Sequence, residues 1–228
     1  MRKTLISASL LIIILFTLPC VFGADRKLQP AADANIINLN NISVDKIRKE
    51  IRIKSNIAIT EGILEYLLVG NQGKTYESVF KVIGNKPSEL NFALLLIGCK
   101  AMNYADFLKL KDESDGLSKL RKHHRQSLLQ IDILKAGQSY DLQRIMVNRE
   151  KSTAPFIWVY TGGLMIKDHG YAADLELSYI GLWPDRVAVV NLFSGLKNPY
   201  QGNFGFEINK ALTEKLAVDQ NFEILIRK

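Results

Sequence analysis

Apolar positions recur along this chain mainly with the two-residue period of β-strands. The clearest case is Lys46–Lys54, where Ile47, Ile51 and Ile53 share one face and charged residues occupy the other. This alternation is typical of a half-buried strand. Leu64–Val69 is instead almost wholly apolar, over a length that fits a strand covered on both faces. The pattern therefore predicts a fold built on a sheet.

The segment after Leu64–Val69 predicts a second strand and a hairpin. Gly70–Gly73 is a run of turn residues, and Tyr76–Ile83 alternates again without a wholly polar face. Two strands joined by about six polar residues favour an antiparallel hairpin, with a loop that is long for a hairpin.

A helix is predicted next, at about Ser88–Ile97. Ser88 suits the N-cap, because its hydroxyl can accept a hydrogen bond from the first free backbone N–H groups. Phe92–Ile97 is apolar on every side, which predicts a buried helix, and Gly98 suits its end.

Strand patterns dominate the rest of the chain. Met102–Leu120 is mostly polar and Asp112–Gly116 reads as a loop, whereas Tyr140–Val147 fits a strand or a short helix. The fold class predicted is α+β, a mostly antiparallel sheet of sandwich or barrel form with one buried helix. The further predicted strands are Ser127–Leu134, Pro155–Thr161, Leu175–Leu182, Arg186–Phe193, Phe204–Asn209 and Phe222–Ile226.

Two blocks of motifs carry a family resemblance. The first is Gly73-Lys74, Tyr76-Glu77-Ser78, Lys86-Pro87-Ser88 and Leu94–Gly98; the second is Trp158–Gly163, Gly170-Tyr171, Ala173-Asp174 and Leu182–Asn191. With the end of the chain, this pattern resembles the YdjY domain of bacterial envelope proteins over most of 47–228. The chain departs from it at Tyr76, where His is more usual, and near Gly70, where many members carry Cys. The resemblance implies a fold and an envelope location, and it implies no activity.

The N-terminus has the pattern of a secretory signal peptide. Arg2 and Lys3 precede the apolar run Leu10–Leu18, and small residues place cleavage after Gly23. We therefore expect a leader at Met1–Gly23, a linker over 24–45 and a single domain over 46–228, exported to the periplasm or secreted. An uncleaved anchor and a lipoprotein acylated at Cys20 are the alternatives.

Charge bears on the partners. The chain has 30 basic and 23 acidic side chains, an excess that suits contact with an anionic envelope surface or another envelope protein. The densest basic run is Lys119–Arg125. It has no interleaved aromatic residues, so a solvated basic loop is favoured over a nucleic-acid site, and no nucleic acid is expected. No transmembrane span is expected in the mature chain.

Three carboxylates are the candidates for catalysis. Glu77 follows the Gly-rich turn, and Asp174 and Glu176 would share one strand face by period, which suits acid–base work or a hard cation. The competing interpretations are that Glu77 accepts hydrogen bonds from backbone N–H groups of the turn at 70–74 and that the other two are solvated. No metal site and no cofactor are predicted.

Five residues are candidates for binding: Tyr76, Ser78, Trp158, Thr161 and His169. Cys99 stands alone once Cys20 leaves with the leader, and a small buried side chain is the favoured interpretation. The leading functional hypothesis is a non-enzymatic binding or structural module. The alternative is a periplasmic hydrolase or cation-dependent enzyme that uses Glu77, Asp174 and Glu176. A third possibility is a basic surface protein that binds anionic polymer through Lys119–Arg125.

Overall fold

An eight-stranded barrel that closes on itself is the centre of the fold. The computed structural model describes residues 35–150, 156–193, 198–217 and 221–228, so the leader expected at Met1–Gly23, with Cys20, lies outside the described residues. The strands are β1 (Ile36–Leu39), β2 (Ile42–Asp45), β3 (Glu50–Ile57), β4 (Ile63–Leu64), β5 (Tyr66–Gly70), β6 (Ser78–Val82), β7 (Leu128–Lys135), β8 (Gln138–Tyr140), β9 (Met146–Asn148), β10 (Trp158–Tyr160), β11 (Met165–Ile166), β12 (Gly170–Tyr171), β13 (Ser178–Gly181), β14 (Val190–Leu192), β15 (Phe206–Ile208) and β16 (Phe222–Arg227).

The barrel runs in the order β3-β16-β7-β10-β14-β13-β5-β6 and closes where β6 pairs with β3. Its interior is apolar and contains fully buried side chains such as Ile51, Leu68, Phe80 and Ile224. Most neighbouring strands are antiparallel, and among the strands in the described ranges only the β13–β14 and β5–β6 pairs are parallel. The α+β class with a mostly antiparallel, barrel-like sheet is therefore confirmed.

The expected hairpin at Leu64–Ile83 is wrong. β5 and β6 are adjacent but parallel, with Tyr66 opposite Ser78 and Gly70 opposite Val82. The connection folds back along β5 and ends in a 3₁₀ turn at Thr75–Glu77. A pattern of apolar residues shows which segments are strands, but the direction of pairing depends on where the connection lies in space.

Six helices accompany the strands in the described ranges. They are α1 (Pro87–Leu96), α2 (Tyr104–Asp112), α3 (Gly116–His123), α4 (Leu142–Ile145), α5 (Ala172–Glu176) and α6 (Lys210–Leu216). The sequence predicted one buried helix, which is fewer than the six that these ranges contain. The basic run Lys119–Arg125 is not a loop, because most of it belongs to α3, whose Leu120 packs with Phe107 of α2 against the outer face of β10.

The α1 helix is present as predicted but is buried on one face only. Leu90 and Leu94 point into the core, whereas Phe92 and Leu95 remain 49% and 53% exposed. Its N-cap is Lys86, whose backbone N–H donates to Glu89 Oε2 at 2.7 Å, and Ser88 already lies inside the first turn. An apolar helix surface is thus left facing solvent, contrary to the expectation of full burial.

The expected linker contains ordered structure in its described part. β1 and β2 form an antiparallel hairpin, and β2 pairs with β3. Asp45 ends β2, because its Oδ1 accepts hydrogen bonds from the N–H groups of Ile47 at 3.0 Å and Arg48 at 2.9 Å. The half-buried strand predicted from Lys46 therefore begins only at Glu50.

Candidate functional site

The polar side chains around Glu77 are the strongest candidate for a functional site. Glu77 directly precedes β6, at the end of the barrel where β5 begins. Four separate segments of the sequence meet there. We call this group the Glu77 cluster; it contains Glu65, Tyr66, Lys74, Glu77, Asp185 and Tyr200.

Glu77 is almost fully buried and is bound by side chains. Its Oε2 accepts a hydrogen bond from the Tyr200 hydroxyl at 2.7 Å, and the Lys74 Nζ lies 3.8 Å from Oε1. The exposed fraction of Glu77 is 8%. The partners expected from the sequence were backbone N–H groups of the preceding turn, whereas the partners in the structure are the Tyr200 hydroxyl and Lys74.

Tyr66 links the cluster to the loop that follows β13. The Tyr66 hydroxyl donates to Asp185 Oδ2 at 2.9 Å and accepts from Lys74 Nζ at 3.4 Å. Burial raises the pKa of Tyr66 well above its usual value, and the neighbouring Asp185 charge raises it further. Tyr66 therefore stays protonated and acts as a donor.

Glu65 is a second carboxyl group in the cluster, and its surroundings raise its pKa. Burial raises the pKa of Glu65, the Glu77 charge raises it further, and Lys74 opposes both. The closeness of the Glu77 carboxyl group thus acts in the same direction as burial on the pKa of Glu65. A cavity of about 220 Å³ lies beside them, lined by Glu65, Tyr66, Trp183 and Asp185 among others. A carboxyl group whose pKa is raised beside a second carboxyl group is suited to proton exchange with a bound molecule.

Most of this cluster escaped the sequence analysis. Glu65 did leave a signal, because it is a single charged residue between the apolar residues Leu64 and Tyr66. A charge within a buried run is costly unless it has partners. Asp185 and Tyr200 left none, since each lies in a polar turn that looks solvated in the sequence.

Asp174 and Glu176 do not join Glu77. Both belong to α5 rather than to a strand, so the prediction that they share a strand face is wrong. Asp174 Oδ1 accepts a hydrogen bond from the Ser88 N–H at 2.7 Å and so caps α1 from a neighbouring helix, whereas Glu176 is exposed. The segment after α5 meets β5 at Val69, the far end from Tyr66 and Glu77.

This cap gives a direct test of the two carboxylates. We expect Asp174→Ala to lower the free energy of unfolding by about 1 kcal/mol, the usual cost of losing an N-cap acceptor. Glu176→Ala, two residues away on the same helix, should change it by less than about 0.5 kcal/mol. Urea unfolding of both variants measures this. Equal effects would show that Asp174 does not cap α1 in solution.

The five candidate binding residues lie in separate places. Ser78 is buried and donates to the Phe80 carbonyl at 2.8 Å, and Trp158 is packed in the core beside Phe156. Tyr76 is 70% exposed, and His169 is exposed in the turn between β11 and β12. They do not form one site.

Thr161 has a structural partner that reaches the Glu77 cluster. Its Oγ1 accepts a hydrogen bond from Asn191 Nδ2 at 2.9 Å, and Asn191 Oδ1 accepts from the Asp185 N–H at 2.8 Å. The second family block therefore holds the loop that presents Asp185. Trp183 of this loop is partly buried, with Lys111 Nζ 5.5 Å from its ring centroid.

A metal site and a reactive thiol are two other kinds of chemistry to consider. Among the described residues, no group of three or more His, Cys, Asp or Glu is arranged to hold a metal ion. Cys99 is buried, and burial raises the pKa of its thiol to about 11 although Lys228 and Lys49 pull it down. Cys99 is thus a protonated thiol at neutral pH, in keeping with a small buried side chain.

Comparison with known proteins finds a family whose model covers the first block of motifs and part of the second. The sequence model of the YdjY domain matches residues 42–175, from β2 to α5. This range includes Glu65, Lys74 and Glu77 but not Asp185 or Tyr200. No curated protein and no solved structure matches the chain significantly. No helix in the part of the chain described here is long and apolar enough to cross a membrane.

Proposed function

Since the chain belongs to the YdjY domain family, we propose that it is an exported envelope domain that acts by binding a protein partner. The observation that supports this most strongly is an apolar surface on two adjoining helices. We call it the α1–α5 face; it consists of Phe92 and Leu95 of α1 and Leu175 of α5.

All three side chains of the α1–α5 face are substantially exposed. Leu175 is 64% exposed, and Phe92 and Leu95 are about half exposed on the adjoining helix α1. The hydrogen bond between Asp174 and Ser88 holds the two helices together at this point. Single exposed apolar residues are common on any protein, but several on one rigid surface are typical of interaction sites.

Export is the second part of the proposal. It is supported by the leader pattern at Met1–Gly23 and by the family's usual location, with the periplasm or the exterior as destination and acylation at Cys20 as the alternative. The intact mass of the protein recovered from the cell envelope distinguishes these outcomes. Loss of Met1–Gly23 supports a soluble exported domain, and a lipid on Cys20 an anchored one.

Site-specific photo-crosslinking in the native cell tests the partner. A photoreactive residue at position 92 or 95 should yield a discrete adduct, whereas the same residue at the exposed Gln138 on β8 should not. Leu175→Ser should reduce the adduct by removing apolar contact area. An adduct of twice the chain's mass would identify the partner as a second copy. Equal labelling at 92, 95 and 138 would count against the α1–α5 face as a docking site.

A second candidate function rests on Glu65 and Glu77. The raised pKa of Glu65 beside Glu77 and the adjacent cavity support acid–base chemistry in a periplasmic hydrolase. In this form the hypothesis replaces Asp174 and Glu176 by Glu65 as the second carboxyl. The stability of Glu77 variants, treated in the Discussion, separates this candidate from a structural role.

A further inference from the structure

A concave surface with a basic rim lies beside the β2–β3 turn and the end of β16, away from the Glu77 cluster. We call it the basic groove. Its rim carries Lys49, Arg121, Arg125 and Lys228, and its floor includes Leu129 and Phe156. The volume is about 740 Å³. The four cations come from the β2–β3 turn, α3, the segment after α3 and the end of β16, so only the folded chain brings them together.

These four cations make no ion pair with any residue in the described ranges. Neighbouring arginines differ sharply. Arg227 Nε lies 2.9 Å from Glu50 Oε1, and Arg52 Nη1 lies 3.0 Å from Glu223 Oε2. Lys119, in the same basic run as Arg121, is also neutralised, 2.6 Å from Glu113. The positive charge of the groove is therefore uncompensated, whereas the charge beside it is paired.

An exposed apolar residue stands at the edge of the groove. The turn between β2 and β3 reads Lys46-Ile47-Arg48-Lys49, and Ile47 at its tip is 70% exposed. The backbone of Lys49 accepts a hydrogen bond from the Lys228 N–H, which joins this turn to the groove rim. A bulky apolar side chain surrounded by cations suits the boundary between lipid headgroups and acyl chains.

The Glu77 cluster and the groove cations lie toward opposite ends of β3. β3 starts at the basic turn, and its last residue, Ile57, pairs with Phe80 in the middle of β6, three residues after Glu77. Its eight residues separate the two ends by roughly 25 Å. The acidic members of the Glu77 cluster thus lie at one end and the groove cations near the other. Such an asymmetry orients a protein toward a negatively charged surface.

We propose that the basic groove and the Lys46–Lys49 turn dock this protein on a membrane that contains anionic phospholipid. Headgroup phosphates enter the groove, where Arg121 and Arg125 can bind them with paired N–H groups. Ile47 inserts between the headgroups, and Leu129 and Phe156 cover the apolar part of a lipid seated in the groove. This surface is distinct from the α1–α5 face and does not depend on it.

Vesicle co-sedimentation of the purified exported protein tests this. The probes are vesicles of phosphatidylglycerol mixed with phosphatidylcholine and vesicles of phosphatidylcholine alone. We expect binding only to the anionic vesicles, and its loss at high salt, because ions screen exposed charges. Arg121→Gln/Arg125→Gln should weaken binding about 25-fold, at roughly fivefold for each cation near an anionic surface.

The matched control is Lys167→Gln/Lys215→Gln. It removes the same charge from exposed lysines that do not line the groove, and it should weaken binding less than about threefold. Ile47→Ser changes no charge and should still weaken binding several-fold. Circular dichroism of each variant establishes that the fold is intact, as expected for exposed positions.

Four results would overturn the proposal. One is equal weakening by the groove and control pairs, which would mean that net charge alone is responsible. Another is no binding to anionic vesicles. A third is groove-dependent binding of polyglutamate with no vesicle binding, which would assign the surface to an acidic polypeptide. The last is abolition of vesicle binding by millimolar inorganic phosphate at constant ionic strength, which would indicate a site for a free anion.

Discussion

Gly163→Ala is expected to lower the free energy of unfolding by about 2–5 kcal/mol, the largest effect we predict. Gly163 has φ +67°, and a Cβ built there would lie 2.9 Å from the Val187 carbonyl oxygen and 2.7 Å from the Tyr171 hydroxyl. The left-handed conformation alone costs an alanine about 1–2 kcal/mol, and overpacking adds about 1–3 kcal/mol. Tyr171 cannot easily move away, because its hydroxyl donates to the Gly162 carbonyl at 2.7 Å.

Gly137→Ala is the control for the backbone contribution. Gly137 has φ +77° and no atom within 4 Å of a built Cβ, so only the conformational cost of about 1–2 kcal/mol should remain. The difference between the two variants in urea unfolding measures how closely the turn at Gly163 packs against Tyr171 and the loop before β14. If the two variants cost the same, that packing is not maintained in solution.

Glu77→Gln should lower the free energy of unfolding at pH 7 by about 1–2 kcal/mol. The variant loses the charge-assisted part of the bond from Tyr200 and the attraction to Lys74, and a hydrogen bond to a charged group contributes about 1.5–3 kcal/mol. Relief of repulsion from Glu65 offsets part of this. The offset is small, since Glu65 is partly exposed and solvent screens its charge.

Glu65→Gln should instead raise the free energy of unfolding at pH 7. The folded-state pKa of Glu65 is raised above the ordinary glutamate value of 4.5, so the folded protein binds this proton more tightly than the unfolded chain. Its contribution favours folding below about pH 4.5 and is lost as the pH rises through the folded-state pKa. At pH 7 the glutamine variant should therefore be more stable than the wild type, and the two should converge in acid.

Urea midpoints of both variants at pH 7 and pH 4 decide between the two roles of the cluster. Tyr200→Phe is the matched control, because it removes the donor to Glu77 and leaves every carboxylate in place. A fall for Glu77→Gln and for Tyr200→Phe supports a structural role. A midpoint for Glu77→Gln that stays level or rises would favour the hydrolase, because active-site groups are commonly held at a cost to stability.

The two surfaces proposed for binding differ in what recognises the partner. The α1–α5 face offers apolar area to a protein, and the basic groove offers uncompensated charge to anionic lipid. A variant in one should not affect the assay for the other, so the crosslinking and vesicle experiments fail or succeed independently. Together they would describe a domain held at a membrane surface with one apolar face free for a partner.

Local sequence patterns were sufficient for the elements that depend on neighbouring residues. Alternation in β3, the continuous apolar run of β5 and the helix end at Gly98 all depend on contacts within a few residues, and each was predicted close to its position. The predictions were wrong where the same stretch of sequence is compatible with either a strand or a helix. Asp174 and Glu176 have a spacing that suits a strand face, but α5 forms because Ala172 and Ala173 pack against the core.

The sequence by itself determined the family, the barrel-like α+β class and most strand positions, and it singled out Glu77 as a candidate site residue. These follow from the order of apolar and polar residues, which decides what each segment can bury. Only the tertiary structure decided that β5 and β6 run parallel, that Asp174 caps α1 and that Glu65, Asp185 and Tyr200 surround Glu77. It also brought Lys49 and Lys228 to Arg121 and Arg125. Such contacts join residues far apart in the chain, and their partners are selected by barrel closure rather than by any local pattern.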